Sequence, residues 1–252
     1  MPEGDTIWRT SRALHAALAG RAVSAFASTK PPVAAEARRL RLVGQRVSGV
    51  EARGKHLLMR FERGAVLHTH MGMTGSWHLY REGSRWRRPA HRARAVVTAD
   101  GVVAVCFDAP TIELTSPAQQ PPLAALGPDV IAPDFDLPEA RRRLRSQPER
   151  EIGDALLDQG AVAGIGNIHK SEALFACGQS PFTRVGALDD AALDRLLHTA
   201  ARRMRESVMG RKRVTFVYGR ARRPCRRCGT RLERAYQGDP PRSTYWCPRC
   251  QG

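Results

Sequence analysis

The pattern of apolar and polar positions divides the chain of 252 residues into a short helical start, a strand-rich half and a helical half. At the start, apolar residues recur at helical spacing on Ile7, Leu14 and Leu18. Asp5 is a favourable N-cap and Gly20 a favourable stop, so an amphipathic helix is predicted between them.

From about residue 21 to 115, short apolar runs alternate with turn residues, as in HLLMRF and RAVVTADGVVAVCF. Such runs are typical of antiparallel strands. Asp100 and Gly101 split the longer run, and an Asp-Gly pair between apolar runs predicts a two-residue hairpin. This half is therefore expected to be an antiparallel sandwich or barrel of short strands.

Proline clusters in SPAQQPPLAALGPDVIAPDFDLP interrupt any regular element and predict a linker at 121–134. Beyond it the apolar period becomes helical. Helices are predicted from Pro138, through PEREIGDALLDQ, from Asn167 to Ala176, and from Leu188. The last of these carries its apolar stripe on Leu193, Leu197, Ala200, Met204 and Val208.

The predicted organisation has four parts. Residues 1–120 form the N-terminal helix and the β-sandwich, 121–134 the linker, 135–212 a helical domain and 213–252 a small cysteine-rich finger. No internal repeat or low-complexity tract occurs in the sequence.

A strong excess of basic residues points to a polyanionic partner. The chain has 41 Lys and Arg against 24 Asp and Glu, a formal net charge of +17. Genomic base composition can enrich arginine but does not deplete acidic residues, so nucleic acid is favoured over a neutral small molecule. There is no run of about 18 apolar residues and no signal-peptide pattern. We therefore expect a soluble, cytoplasmic protein with no membrane partner.

Four of the six cysteines form two Cys-x-x-Cys pairs, at Cys225, Cys228, Cys247 and Cys250. Together the pairs can bind one tetrahedral ion, and four thiolates suit zinc. They leave no open position for water, so the predicted cofactor is one structural zinc ion.

The segment between the two pairs is predicted to be a β-hairpin with a Gly-Asp-Pro-Pro tip. It presents Arg231, Arg234 and Arg242 as candidate DNA contacts. The remaining cysteines, Cys106 and Cys177, lie in apolar surroundings and are expected to be buried small hydrophobes.

Two further features each allow two interpretations. Glycines at 160, 164 and 166 precede a helix that starts at Asn167, which fits either a phosphate cradle or a tight connection that needs backbone freedom. Lys55 follows Gly54 at the entry to an apolar strand, where a lysine is usually a solvated edge charge. It gains a chemical role only if other groups converge on it.

Motifs in order along the chain resemble the formamidopyrimidine-DNA glycosylase and endonuclease VIII family of base-excision repair enzymes. They are MPEG, RGKHLL, GMTGSW, GIGNIHKSEALF, VYGR, and CRRCGT through RSTYWCPRC. The likeness covers nearly the whole chain. It implies an α+β multidomain fold with an N-terminal antiparallel β-sandwich, a helical domain with a helix-two-turns-helix element, and a C-terminal zinc-finger β-hairpin. The implied partner is damaged double-stranded DNA.

The resemblance also implies catalytic roles. Pro2, freed by removal of Met1, would attack the sugar of a damaged nucleotide through its secondary amine and form an iminium intermediate. Glu3 would act as general acid and base. Lys55 would be the cation near the sugar and its phosphate.

Other residues correspond to the family's DNA contacts. Asn167 and the amides around Gly166 would hold the phosphate next to the lesion, and Arg242 would grip it from the finger. Extruding a nucleotide leaves a space that needs a filler. Met73 is the candidate wedge, with an ordinary core methionine as the alternative.

The sequence departs from the family pattern at three places. Thr6 stands where many relatives carry a second acid, so a role for that acid is absent or moved to Asp5. Gly4 resembles the endonuclease VIII branch. The segment from Asp108 to Glu113 lacks the arginine and the aromatic residue that the formamidopyrimidine branch places beside the orphaned base.

The absence of these two residues predicts excision of oxidised pyrimidines, with 8-oxoguanine opposite cytosine a poor substrate. Arg87 or Arg88, from another loop, could still supply the missing arginine. Two other functions stay open: a non-catalytic nucleic-acid binding protein, and an abasic-site lyase without efficient base excision. A monomer is expected.

Overall fold

The computed structural model describes residues 2–119, 123–211 and 213–252. They fall into two compact units, Met1–Ala124 and Ala125–Gly252. Pro121 and Pro122 of the predicted linker lie outside the described residues, as do Met1 and Lys212. The finer division of the chain into four parts stays a prediction.

Helix α1 spans Gly4–Leu18 and buries the predicted apolar stripe. The prediction that Asp5 is its N-cap is wrong. Glu3 is the N-cap, without a side-chain capping bond. Its carbonyl oxygen accepts the amides of Thr6 at 2.9 Å and Ile7 at 3.1 Å. The helix therefore begins two residues earlier than predicted, and Asp5 lies buried in its first turn.

Two four-stranded antiparallel sheets follow, as predicted for a sandwich. One sheet has the order β1, β6, β7, β5, and the other the order β2, β3, β4, β8. The strands are β1 (Val23–Ser28), β2 (Val47–Arg53), β3 (His56–Phe61), β4 (Val66–His70), β5 (Ser76–Arg81), β6 (Ala93–Ala99), β7 (Val102–Phe107) and β8 (Thr111–Thr115). Their inward side chains and the buried stripe of α1 form one hydrophobic core.

The predicted hairpin joins β6 to β7. Asp100 and Gly101 form its two-residue turn, with φ of 45° and 74°. Positive φ at both positions matches the twist of the flanking strands, which explains the Asp-Gly pair.

A second helix, α2 (Pro31–Arg39), interrupts the strand-rich half. The prediction of strands alone between residues 21 and 115 is wrong here. Proline in the first turn starts the helix without losing a hydrogen bond. Val33 and Ala37 then face the sandwich core, four residues apart.

The second unit is mostly helical. It contains α3 (Leu137–Arg145), α4 (Ile152–Ala155), α5 (Asn167–Cys177) and α6 (Asp190–Val208). The helix predicted through PEREIGDALLDQ is reduced to the four residues of α4, because tight turns begin at Leu157 and lead to Gly160. Helix α6 buries four of the five predicted stripe residues, and Val208 is half-buried.

The finger contains the predicted antiparallel hairpin, β9 (Glu233–Gln237) and β10 (Arg242–Trp246). Arg242 pairs with Gln237 next to the predicted Gly-Asp-Pro-Pro tip. Among the residues that the structure describes, no helix has both the length and the apolar character needed to cross a membrane.

Candidate active site and metal centre

The start of α1 places two carboxylates in a buried position. Glu3 and Asp5 are both fully buried, and Pro2, directly before Glu3, is half-buried. The first turn of a helix carries amides without intrahelical partners and the positive end of the helix dipole, so it is a favourable place for a carboxylate. Thr6, at the position of the missing acid, is also in this turn.

Lys55 lies in the same unit, in the turn of the β2–β3 hairpin. Arg53 pairs with His56, which leaves Gly54 and Lys55 as the two turn residues. Gly54 is buried with φ of 58°, a left-handed conformation that favours glycine. Lys55 is half-buried, so it is not the fully solvated edge charge of the alternative interpretation.

Three histidines beside Lys55 were not singled out from the sequence. His56 Nδ1 lies 2.8 Å from His68 Nε2, and His68 Nδ1 lies 3.1 Å from a carboxylate oxygen of Glu113. The rings of His56 and His70 are 4.9 Å apart. A proton donor at His68 Nδ1 for the carboxylate leaves Nε2 to accept from His56, so the contacts fix both tautomers. The sequence signal that could have found them is the pair of motifs KHLL and LHTH, whose histidines lie on the paired strands β3 and β4.

Burial controls the charge of two of these rings. The pKa of His56 is lowered to about 4 by burial first, and then by His70, His68 and Lys55. Burial also lowers the pKa of His70, together with Lys55 and His68. His56 is therefore neutral at pH 7, and the positive charge at this hairpin end stays with Lys55.

Met73 is 68% exposed, so the alternative that it is an ordinary core methionine is wrong. Met71, two residues earlier, is 2% exposed and takes the core position. The turn between β4 and β5 thus buries one methionine as an anchor and presents the other to solvent.

The glycine-rich turn before α5 is organised by Gln159, which the sequence did not single out. Its amide nitrogen donates to the carbonyl oxygens of Leu157 at 2.8 Å and Ile165 at 3.1 Å. Its amide oxygen accepts from Gly164 N at 3.0 Å. Gly164 has φ of 98°, which requires glycine, and Gly166 is the N-cap of α5. This geometry fits the tight connection and leaves the cradle interpretation open.

The predicted phosphate contacts Asn167 and Arg242 come close together within the second unit. Asn167 Nδ2 donates to Ser243 Oγ at 3.1 Å, and Arg242 is the neighbouring residue on β10. Asn167 is 6% exposed, and its Oδ1 has no hydrogen-bond partner among the described residues. Rotating the amide by 180° lets Ser243 donate instead and turns this buried position into an N–H donor.

Lys170 connects helix α5 to strand β10 of the finger. It is fully buried, and its Nζ donates to Thr244 Oγ1 at 2.8 Å and to the Ser243 carbonyl at 3.3 Å. Thr244 donates in turn to Gln237 Oε1 at 2.6 Å, across the hairpin. Two residues further along α5, the buried carboxylate of Glu172 accepts the amides of Phe216, Val217 and Tyr218.

The four cysteines predicted to bind metal form a cluster. The sulfur atoms of Cys225, Cys228, Cys247 and Cys250 all lie within 4.8 Å of one another. A tetrahedral ion at a Zn–S distance of about 2.3 Å needs sulfur atoms about 3.8 Å apart. The donor set and its spacing therefore fit such an ion.

The two remaining cysteines differ from each other. Cys106 is fully buried, as predicted, and burial raises the pKa of its thiol to about 12. Cys177 is exposed at the end of α5, so the prediction of a buried thiol is wrong there. The helix turns its last residues to solvent before Gly178, which has φ of 66°.

Comparisons with known proteins agree over the whole chain. The formamidopyrimidine-DNA glycosylase N-terminal domain matches residues 1–111, and the H2TH domain of that glycosylase matches residues 126–217. A probable endonuclease 8 2 of Streptomyces coelicolor is 43% identical over 100% of this chain and 94% of its own length. Endonuclease 8 of Escherichia coli is 32% identical, with 100% of both chains covered.

Solved structures show the same fold. The formamidopyrimidine-DNA glycosylase of Lactococcus lactis, bound to DNA with an AP site, has a TM-score of 0.85 at 24% identity, covering 99% of both chains. A MutM structure with DNA containing carbocyclic 8-oxo-G has a TM-score of 0.86 at 24% identity, covering 100% of both chains.

The family models and the relatives identify a DNA glycosylase and AP lyase of base excision repair. The chain belongs to the formamidopyrimidine-DNA glycosylase and endonuclease VIII family. The resemblance, the fold class and the enzyme class predicted from the sequence are thereby confirmed, and the non-catalytic alternative loses its support.

The low pKa of His56 predicts a pH dependence of stability. Its ordinary pKa is 6.5 and its folded pKa about 4, so the unfolded chain binds a proton more readily between these values. The stabilisation is present above pH 6.5 and is lost as the pH falls towards 4. His56→Gln should flatten the pH dependence of the unfolding temperature in this range, measured by calorimetry. His91→Gln, at an exposed histidine of the same unit, is the control. An unchanged slope in His56→Gln would contradict the assignment.

Proposed function

We propose that the protein removes oxidised bases from double-stranded DNA and cleaves the strand by elimination, with the amine of Pro2 as nucleophile. The observation that carries the proposal is the fully buried carboxylate of Glu3, directly behind Pro2 at the start of α1. A buried carboxylate next to a terminal secondary amine provides both a nucleophile and a proton acceptor.

The terminal amine suits this chemistry at neutral pH. An α-amino group has a pKa near 8, so roughly one-tenth is neutral near pH 7, against about one in a thousand for a lysine of pKa 10.4. The amine nitrogen would bond to the anomeric carbon, and the damaged base would leave with the electron pair of its glycosidic bond. The amine loses its proton, and the bond between the anomeric carbon and the ring oxygen then breaks as that oxygen is protonated, which leaves an iminium. The iminium withdraws electrons, so loss of a sugar proton can expel the 3′ phosphate.

Glu3 would protonate the opening sugar and later accept the proton lost in the elimination. Lys55, half-buried at its hairpin turn, would bind the sugar and its phosphate. His56 supports this role because its ring stays neutral and does not add a second charge there.

The phosphate beside the lesion would be held by the second unit. Asn167 and the amides after Gly166 lie at the start of α5, where amide donors and the helix dipole favour an anion. The exposed guanidinium of Arg242 follows on β10. The buried unpaired atom of Asn167 supports the assignment, since a rotated amide supplies an N–H for a phosphate oxygen. The net charge of +17 favours such a partner.

The ion in the cysteine cluster would be zinc with a structural role. Cys225, Cys228, Cys247 and Cys250 would hold it as thiolates, and the ion would supply folding free energy to a hairpin with little core of its own. We further propose that the enzyme is monomeric and acts in the bacterial cytoplasm.

An abasic-site lyase without efficient base excision is the second candidate. A relative of 36% identity over 100% of this chain and 99% of its own length is the DNA-(apurinic or apyrimidinic site) lyase Nei2 of Mycolicibacterium smegmatis. Both candidates use the same iminium and differ in whether an intact damaged base is removed first.

The first test concerns the terminal amine. Borohydride should trap a covalent complex with duplexes that carry an abasic site or an oxidised pyrimidine. Pro2→Gly, or a tag left on the N-terminus, should abolish or strongly reduce trapping, because the secondary amine is lost or blocked. Undiminished trapping by the blocked chain would contradict the role of Pro2.

The same assay separates the two candidates. Trapping on abasic DNA without trapping on the lesion duplex would indicate the lyase alone. Glu3→Gln serves as a companion variant, since it keeps the amine but cannot exchange protons. It should reduce base removal far more than DNA binding.

Removal of a cysteine tests the metal centre. Cys228→Ser should lose zinc, measured by atomic absorption, and weaken DNA binding, because the ion contributes to the folding of the finger. Retention of one zinc per chain would contradict the four-thiolate site.

Arg242→Ala tests the DNA contact of the finger separately from its metal. It should keep zinc but lower the slope of log affinity against log salt by about one counterion, because one phosphate contact is lost. Arg184→Ala, at an exposed arginine paired with Glu149, is the matched control and should leave the slope unchanged.

The substrate preference follows from residues 108–113. This segment has neither an arginine nor an aromatic residue to hold an orphaned cytosine. Thymine glycol and dihydrouracil should therefore be excised faster than 8-oxoguanine opposite cytosine, in single-turnover assays on matched duplexes. Faster removal of 8-oxoguanine from its cytosine pair would overturn this preference and leave the Pro2 chemistry untouched.

A further inference from the structure

The turn that presents Met73 is built with little conformational freedom. We call residues 71–75 the Met73 turn. Gly75 N donates to the Met71 carbonyl at 2.8 Å and closes it. A Cβ on Gly75 would lie 2.4 Å from that same oxygen, and a Cβ on Gly72 would lie 2.7 Å from Pro110 Cγ. With Met71 buried beneath it, the turn is fixed at its base and on one flank.

Arg88 fixes the other flank. Its Nη1 donates to the carbonyl oxygen of Thr74 at 3.2 Å and to Asp108 Oδ2 at 2.8 Å. Thr74 is the residue directly after Met73, so this contact acts on the backbone that carries the exposed side chain.

Asp108 is in turn held in place. Arg92 donates to Asp108 Oδ1 from Nε at 2.9 Å and lies 2.7 Å from Oδ2 through Nη2. The amide of Asp108 donates to the Arg92 carbonyl at 3.0 Å, and its φ is 53°, a left-handed conformation. The guanidinium groups of Arg92 and Arg88 hold the pKa of Asp108 below its usual value. Because the Asp108 carboxylate is held in this way, its hydrogen bond with Arg88 also holds the Arg88 guanidinium in one position.

The loop that carries Arg88 is also anchored. Trp86 packs edge-on against Phe107 at 5.8 Å and stacks on Tyr80 at 6.3 Å. The Tyr80 hydroxyl accepts the amide of Arg87 at 3.1 Å. The side chain of Arg88 is 31% exposed and that of Asp108 14%, so the pair is better shielded than a free surface ion pair.

We propose that Arg88 is a positioning residue that holds the Met73 turn in the geometry needed to enter the DNA helix. The proposal rests on the proposed function and on the role predicted for Met73 from the sequence, in which its side chain fills the space left by the extruded nucleotide. A wedge can replace a stacked base only if its backbone does not yield when it meets the stack. The contact to Thr74 resists that displacement, and Asp108 keeps the contact in place.

The role predicts an effect that depends on the state of the DNA. Opening a stacked pair costs free energy, and an already open site removes that cost. Loss of the wedge or of its support should therefore slow excision from a matched duplex more than excision from a mismatched bubble. A residue needed only for folding or for the chemical step would slow both equally.

The experiment compares single-turnover excision of dihydrouracil from a matched duplex and from the same lesion in a three-nucleotide bubble. Met73→Ala and Arg88→Ala should each lower the ratio of matched to bubble rates about tenfold, the scale of a lost hydrogen bond to a charged group. The double variant should fall no further than the lower single variant, because both act on one element. Arg88→Lys, which keeps the positive charge and N–H donors, should restore part of the ratio. Arg85→Ala, at an exposed arginine of the same loop, is the matched control and should keep the wild-type ratio.

A fluorescence measurement gives the second readout without catalysis. In a duplex with an uncleavable abasic analogue, 2-aminopurine opposite the analogue reports unstacking when enzyme is added at saturation. Arg88→Ala should lower the amplitude as Met73→Ala does, at a similar unfolding temperature to wild type.

The possible outcomes distinguish a failure of the role proposed for Arg88 from a failure of the Met73 wedge. If Met73→Ala lowers the ratio and Arg88→Ala does not, the inference about Arg88 is wrong and the wedge stands. If Met73→Ala leaves the ratio unchanged, the wedge itself is wrong, and the role of Arg88 falls with it.

Discussion

The buried ammonium of Lys170 is the interaction on which the arrangement of the second unit depends. Burying a charged amine is costly unless oxygen atoms replace its water, and here the Thr244 hydroxyl and the Ser243 carbonyl do so. Both belong to β10, so moving the finger hairpin away from helix α5 would break both of these hydrogen bonds. Asn167 lies one turn before Lys170, and Arg242 directly before Ser243. The distance between the two candidate phosphate contacts is thereby set by a buried lysine that need not touch DNA.

The first unit contains a similar hydrogen bond from a basic side chain to a main-chain carbonyl. Arg88 donates to the carbonyl after Met73, as Lys170 donates to the carbonyl after Arg242. In both cases a basic side chain holds the main chain next to an exposed residue, and a side-chain oxygen shares the same cation. Exposed residues that contact DNA have few neighbours of their own, so their precision has to come from the backbone beneath them.

Local patterns made much of this molecule predictable. The apolar stripe of α1, the Asp100-Gly101 hairpin and the Cys-x-x-Cys pairs each carry their signal within a few residues. Helix α2 was missed because its nine residues carry only one large apolar side chain, Val33, although Pro31 marks its start. Glu172 and Lys170 were missed for another reason. Their partners lie up to 74 residues away, so no sequence window contains both ends of the contact.

The segment from residue 108 to 113, which departs from the family pattern, also has a structural role that the sequence alone did not reveal. Judged by composition, it is defined by what it lacks, an arginine and an aromatic side chain. In the fold, Asp108 receives two arginines, Pro110 packs on Gly72, and Glu113 ends the histidine chain. Arg88 is committed to Asp108 and Thr74 through Nη1, so it is first a support for the neighbouring turn. The segment lacks side chains that could read a DNA base, and its residues Asp108 and Pro110 instead support the Met73 turn.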